Sequence, residues 1–265
     1  DRFLGLFDGG IFTEVPVPAP IADPLQFRDQ KKYPDRMKAA QKKTSETEAM
    51  LVVEGDIGRT PIVAAAQDFS FMGGSMGMYV GNAIIAAAER AVDGDKENST
   101  LWLEVAALRR LAGDTDAVAP ALLQAIRFDE TNAHAYSRLA RVYLDQGKTD
   151  EAVKTAEKAS SIAPDDVSVL VSLGRALLAN DHPSESLKPL KKARKNAKPK
   201  SKSAWESAFY LGSALIQVDK RDEGMRMISE ALRGQPDPAL HLKAAVDDFS
   251  TTSDSQGQPP LHDPS

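Results

Sequence analysis

The 265-residue sequence contains no cysteine. Disulfides, a thiolate nucleophile and a cysteine-ligated zinc site are therefore excluded. Histidine is scarce as well. His134, His182, His241 and His262 lie far apart with no HExxH-type spacing, so no metal site is expected. No apolar run approaches the roughly 18 residues of a membrane-crossing helix. The chain opens at Asp1 without a methionine and without an apolar stretch behind a basic start. It reads as a fragment, with the cytoplasm as default compartment. The net charge of −5 argues against non-specific nucleic-acid binding. What is present, 42% hydrophobic and 27% charged residues, is ordinary for a globular chain of one large or two small domains.

The chain divides into two halves of different patterning. Residues 1–95 read as mixed α/β. Pro16, Pro18, Pro20 and Pro24 exclude a long helix at the start, because proline lacks the N–H and clashes in helix interiors. Arg28 to Lys43 is charged and helix-permissive. Two strand-like runs follow, Ala49–Ile57 and Pro61–Phe71, around Gly58-Arg59-Thr60. Their small apolar residues suggest strands buried on both faces. A glycine-rich turn, Phe71 to Gly77, leads to an alanine-rich helix over about Met78 to Val92, stopped by Asp93-Gly94-Asp95. Everything from Ser99 to about 250 reads as helix. Residues 251–265, rich in Ser, Asp, Gln and Pro, read as a disordered tail.

The helical half repeats with a 34-residue period. Residues 99–132, 133–166 and 167–200 abut, and 205–238 follows a four-residue insertion. The eighth positions are Ala106, Ala140, Gly174 and Gly212; the twenty-seventh are Ala125, Ala159, Ala193 and Ala231. Small residues there let the two helices of a hairpin approach, while Trp102, Tyr136, Tyr143 and Leu177 fill the space beside them. A hairpin with an unburied apolar face must stack on its neighbours. This pattern resembles tetratricopeptide-repeat (TPR) proteins and implies an α-solenoid, with 239–250 as a capping helix.

In such an array the first helices line the concave face, with the second, sixth and ninth positions exposed inward. These are Thr100, Glu104 and Ala107; His134, Arg138 and Arg141; Ser168, Ser172 and Arg175; Glu206, Tyr210 and Ser213. His134, Arg138, Arg141, Arg175 and Tyr210 are the candidate protein-binding residues. Three convergent guanidinium groups suit an acidic peptide or a free C-terminal carboxylate. Lys188 to Lys202 is strongly basic but lacks interleaved aromatics, so it reads as a solvated helix and loop rather than a nucleic-acid site.

The first 95 residues resemble the carboxyltransferase β subunit of acetyl-CoA carboxylase. The likeness is carried by Gln26-Phe27-Arg28-Asp29-Gln30-Lys31-Lys32-Tyr33-Pro34-Asp35-Arg36, by Val63-Ala64-Ala65-Ala66 and by Phe69-Ser70-Phe71-Met72-Gly73-Gly74-Ser75-Met76-Gly77. It implies a crotonase-like fold, transfer of a carboxyl group from biotin to acetyl-CoA for fatty-acid biosynthesis, an α-subunit partner and a four-cysteine zinc ribbon. The ribbon has no counterpart in a chain without cysteine. The family's Ser-Gly-Gly-Ala-Arg and Thr-Thr-Gly-Gly segments are missing: Asp95-Lys96-Glu97-Asn98 and a repeat helix follow instead. Gly73, Gly74, Ser75 and Gly77 are thus expected to be a structural turn, because backbone amides stabilise an oxyanion only within a preorganised pocket.

The resulting expectation is a mainly α protein, a TPR-type α-solenoid preceded by a partial α/β crotonase-like segment. It is expected to act as a protein-interaction scaffold carrying a non-catalytic carboxyltransferase-β fragment, with no cofactor and no metal. Expected partners are a protein or acidic peptide in the groove and a carboxyltransferase α subunit, with neither nucleic acid nor membrane. The alternative is a working carboxyltransferase β subunit with an appended TPR domain.

Overall fold

The computed structural model describes residues 3–19, 32–71 and 78–233. The chain forms two compact units, residues 1–130 and 131–265. Among the described residues there are ten α-helices and one three-stranded sheet. Three stretches with sequence expectations lie outside the described residues: 20–31, which open the charged run, 72–77, which hold the glycine-rich turn, and 234–265, which hold the expected cap and tail.

In the first unit, β1 (Phe12–Glu14), β2 (Met50–Ile57) and β3 (Thr60–Gln67) form an antiparallel sheet in the order β1-β2-β3. The helix α1 (Tyr33–Thr44) lies between β1 and β2 in the chain, with Pro34 in its first turn, where a proline N–H is not needed. β2 and β3 pair from Ile57↔Thr60 to Met50↔Gln67 through a two-residue turn. Gly58 (φ +58°) and Arg59 (φ +64°) both adopt the left-handed region that such a turn demands. The Asp8 carboxylate pins it, accepting the N–H groups of Gly58 at 3.0 Å and Arg59 at 2.9 Å. Those two hydrogen bonds hold the Asp8 carboxyl below its ordinary range. At Gly55 a Cβ would lie 2.8 Å from both the Ile11 carbonyl oxygen and the Phe7 ring, so only glycine fits beside Phe7, whose ring clusters with those of Phe3 and Phe12.

The strand expectation needs correction for β3. Val52 and Val53 of β2 are buried, but five of the eight β3 residues are exposed and the rest only half-buried. β3 is an outer strand of the described sheet, as is β1, and the sequence from Thr60 to Gln67 carries no charge. The helix α2 (Met78–Gly94) packs against β2 and β3, burying Val80, Ala83, Ile85 and Val92. Arg90 of α2 pairs with Glu54 of β2. The unit closes with the hairpin of α3 (Ser99–Leu111) and α4 (Thr115–Phe128), which packs against α2 through α3. Asn98 caps α3, accepting from the N–H groups of Thr100 and Leu101 at 3.1 and 3.3 Å.

Among the described residues the second unit contains three helical hairpins: α5 (Ala133–Asp145) with α6 (Thr149–Ile162), α7 (Val167–Ala179) with α8 (Pro183–Asn196), and α9 (Lys202–Gln217) with α10 (Arg221–Arg233). The first helices of successive hairpins are neighbours, α5 beside α7 and α7 beside α9. Helices cross where side chains are smallest. Ala140 packs with Ala152 and Ala156, and a Cβ on Gly212 would lie 2.7 Å from the Gly224 carbonyl oxygen. The close approach is therefore made between the eighth position and the twentieth. The twenty-seventh-position Ala159 packs instead with Ala133 of its own hairpin and Val169 of the next. That alanine joins successive hairpins as well as the two helices of its own.

Candidate functional site

One groove in the second unit is built by α5, α7 and α9 and holds about 330 Å³. His134, Arg138 and Arg141 come from α5, Arg175 from α7 and Tyr210 from α9; all five line it. Each pair of equivalent positions on α5 and α7 is 34 residues apart, and the two helices run side by side, so side chains of equal rank meet. Ser172 donates its hydroxyl to the Ser137 carbonyl at 3.2 Å, tying α7 to α5. Arg138, Arg141, Arg175 and Tyr210 are half-buried, and His134 is exposed.

The charges are held in place rather than loose. The Arg175 guanidinium lies 5.1 Å from the centre of the Tyr210 ring, a cation–π distance. His134 Nε2 lies 3.9 Å from Asp166 Oδ2. Asp166 caps α7, accepting from the Val169 N–H at 3.0 Å and the Ser168 hydroxyl at 2.8 Å. Partial burial pushes the Asp166 carboxyl up, but those hydrogen bonds and His134 outweigh it, and the carboxyl sits below its ordinary range. Lys202 Nζ lies 3.7 Å from Glu206 Oε1 on the opposite side. Three arginines and a lysine thus face one groove carboxylate, Glu206, and the lining is net positive.

Lys202 was not among the inward positions expected from the repeat. The signal lay in the insertion 201–204. Ser201 accepts from the Ala204 N–H at 3.2 Å and so caps α9, which begins at Lys202 instead of Trp205. Ser213, expected to face inward, is buried and donates its hydroxyl to the Phe209 carbonyl at 3.0 Å. Thr100, Glu104 and Ala107 belong to α3 in the first unit; the first two are exposed and Ala107 is half-buried. Gly73, Gly74, Ser75 and Gly77 lie outside the described residues.

A second cavity, of about 750 Å³, lies in the first unit between the sheet and α2. It is lined by Asp8, Glu54, Asp56, Asp93 and Asp95, with Arg90. Asp8 is engaged by the β2–β3 turn and Glu54 by Arg90. Among the described residues no three His, Asp or Glu side chains are grouped to hold a metal ion. No described helix is long and apolar enough to cross a membrane.

Comparison with known proteins divides along the chain. A tetratricopeptide-repeat family profile matches residues 109–169. The N-terminal segment of about 90 residues is similar to acetyl-CoA carboxylase carboxyltransferase subunit β. It is 85% identical to that protein of Dinoroseobacter shibae over 91 residues, 34% of this chain and 28% of the relative. It is 80% identical to that of a Jannaschia species over 92 residues, 35% of this chain and 29% of the relative. The chain therefore spans under a third of the length of these relatives. Among solved structures, a thermophilic TPR protein of Thermus thermophilus superposes with a TM-score of 0.50 at 15% identity, covering 65% of this chain and 91% of that one. The chain thus joins a segment similar to carboxyltransferase β to helical hairpins with the TPR fold.

Proposed function

We propose that the chain is a cytoplasmic protein-binding scaffold whose α5–α7–α9 groove takes an acidic segment or a C-terminal carboxylate of a partner protein. The reading is carried by Arg138, Arg141 and Arg175 lining one groove with His134 and Tyr210. Guanidinium groups form paired hydrogen bonds to carboxylates, and partial burial strengthens them. No cofactor enters this reading. The test compares the native chain with the Arg138→Ala, Arg141→Ala, Arg175→Ala variant on an array of acidic and neutral peptides. The expected loss is about 2 kcal/mol or more, roughly 30-fold, with weaker binding as salt rises. Equal affinity of both proteins would transfer the recognition to Tyr210 and Phe209.

In the same reading, residues 1–95 are a crotonase-like segment without catalysis, residues 99–250 are the repeat array with its cap, and 251–265 are a tail. The segment's partner is a carboxyltransferase α subunit, on which it docks as a decoy. A second reading, a working carboxyltransferase β subunit with an appended array, is favoured by the 85% identity over 91 residues. The two are separated by mixing the chain with α subunit, a carboxybiotin donor and acetyl-CoA. No malonyl-CoA above background is expected. Product that disappears when Gly73 and Gly74 are made bulky would establish the second reading.

A further inference from the structure

Apart from Lys202, the densest run of cations in the chain does not line the groove. Between Glu185 and Glu206 stand Lys188, Lys191, Lys192, Arg194, Lys195, Lys198, Lys200 and Lys202, with no acidic residue. Folding sorts them. Lys192 pairs with Asp165 at 3.0 Å, Arg194 with Glu230, and Lys202 with Glu206. Lys188, Lys191, Lys195, Lys198 and Lys200 are exposed and make no ion pair among the described residues. Lys188, Lys191 and Lys195 share one face of α8 by helical spacing. Leu190 and Ala193 of the same helix are buried in the core. Lys154 and Lys158 on α6, 34 residues before Lys188 and Lys192, are exposed as well.

What this face omits selects its occupant. No apolar side chain of α8 is exposed, so the face offers a partner no apolar anchor of the kind on which protein interfaces centre. No aromatic ring is offered to a base, and the one arginine is already paired, so neither stacking nor forked phosphate recognition is available. Flexible, strongly hydrated lysine heads suit a diffuse array of anionic charges that demands no shape complementarity. We propose that the α8 lysine face docks on an anionic lipid bilayer, holding the protein at a membrane surface with the α5–α7–α9 groove unoccluded. The attraction is electrostatic and peripheral, with no inserted segment, and does not depend on what the groove binds.

The test is co-sedimentation of the full chain with phosphatidylcholine vesicles, with and without phosphatidylserine. Binding is expected only to the phosphatidylserine vesicles and is lost in 1 M salt, where screening acts within about 3 Å. Each lysine near such a surface contributes about fivefold, so the Lys188→Gln, Lys191→Gln, Lys195→Gln variant should partition roughly a hundredfold more weakly. The Lys38→Gln, Lys42→Gln, Lys43→Gln variant makes the same charge change on exposed positions of α1 and should keep its binding. Circular dichroism confirms that both variants are folded. Equal loss in the two variants, equal binding to neutral vesicles, or tighter binding to duplex DNA or polyglutamate at the same salt would each overturn the assignment.

Discussion

Gly212→Ala tests the packing of the α9–α10 hairpin most directly. The added Cβ would sit 2.7 Å from the Gly224 carbonyl oxygen, 2.7 Å from Ile228 Cγ1 and 3.1 Å from the Ile228 nitrogen. Ordinary contact begins near 3.4 Å, so the two helices must part by about 0.7 Å. Two of the obstructing atoms are backbone, and no rotamer change relieves them. A gap of 0.5–1 Å forfeits about a quarter to a half of each dispersion contact across the seam. The seam is flanked by Leu211, Ala214, Leu215 and Met227. Overpacking of this kind typically costs about 1–3 kcal/mol, while replacing a helical glycine by alanine returns up to about 1 kcal/mol. The expected net loss is about 1–2 kcal/mol. Gly81→Ala in α2 is the control, because its Cβ would meet nothing within 4 Å. It should stabilise by up to about 1 kcal/mol. At roughly 2–4 °C per kcal/mol, thermal unfolding followed by circular dichroism should show Tm falling by about 2–8 °C for Gly212→Ala and rising for Gly81→Ala. Gly174→Ala adds an internal comparison, because the three atoms nearest its Cβ all belong to the Leu190 side chain. Leu190→Ala should therefore absorb much of its cost, with a coupling of about 0.5–3 kcal/mol in a double-mutant cycle. If Gly212→Ala raised Tm as Gly81→Ala does, the close-crossing argument would fail.

Asn98→Ala should lower stability by about 1 kcal/mol in urea denaturation, because it removes the acceptor for two N–H groups at the start of α3. The Asp8 carboxyl is lowered in the folded state, so its contribution is present above the ordinary value of 3.8 and is lost as pH falls through the lowered folded value. Asp8→Asn should therefore be less stable than the native chain at neutral pH, with the gap closing under acid in paired pH–stability curves. Ala159→Trp, at a fully buried position against Ala133 and Val169, should cost more than about 3 kcal/mol and broaden the unfolding transition. A sharp native-like melt would show that successive hairpins do not pack there.

The repeat was legible because close helix crossings admit few residue types. An alanine or glycine recurring at the eighth position reports backbone proximity wherever it appears. The groove residues were legible for the same reason, since equal rank on adjacent helices means adjacency in space. The insertion 201–204 was opaque to period counting, because only the hydrogen bond from Ala204 to Ser201 reveals that it opens α9 and carries Lys202 into the groove. The burial of Ser213 was hidden too: a serine that donates to its own helix at Phe209 can be buried without leaving its hydroxyl unsatisfied. In β3, the run Ile62-Val63-Ala64-Ala65-Ala66 lacks polar alternation, so its composition alone does not tell an outer strand from a central one.

That outer strand sets a timing problem for the growing polypeptide. The β2–β3 hairpin is complete at Gln67, but the helix that packs on it is not finished until Gly94. At about 5–20 residues per second, the ribosome leaves a gap of roughly one to five seconds. A hairpin forms in about 1–10 μs, so the face of the hairpin that α2 later covers, uncharged along β3, stands bare for nearly all of that interval. Nascent chains on neighbouring ribosomes would meet strand to strand. Slower translation of codons 68–94 should raise the insoluble fraction of newly made protein, and a lysine at Ala65 should lower it.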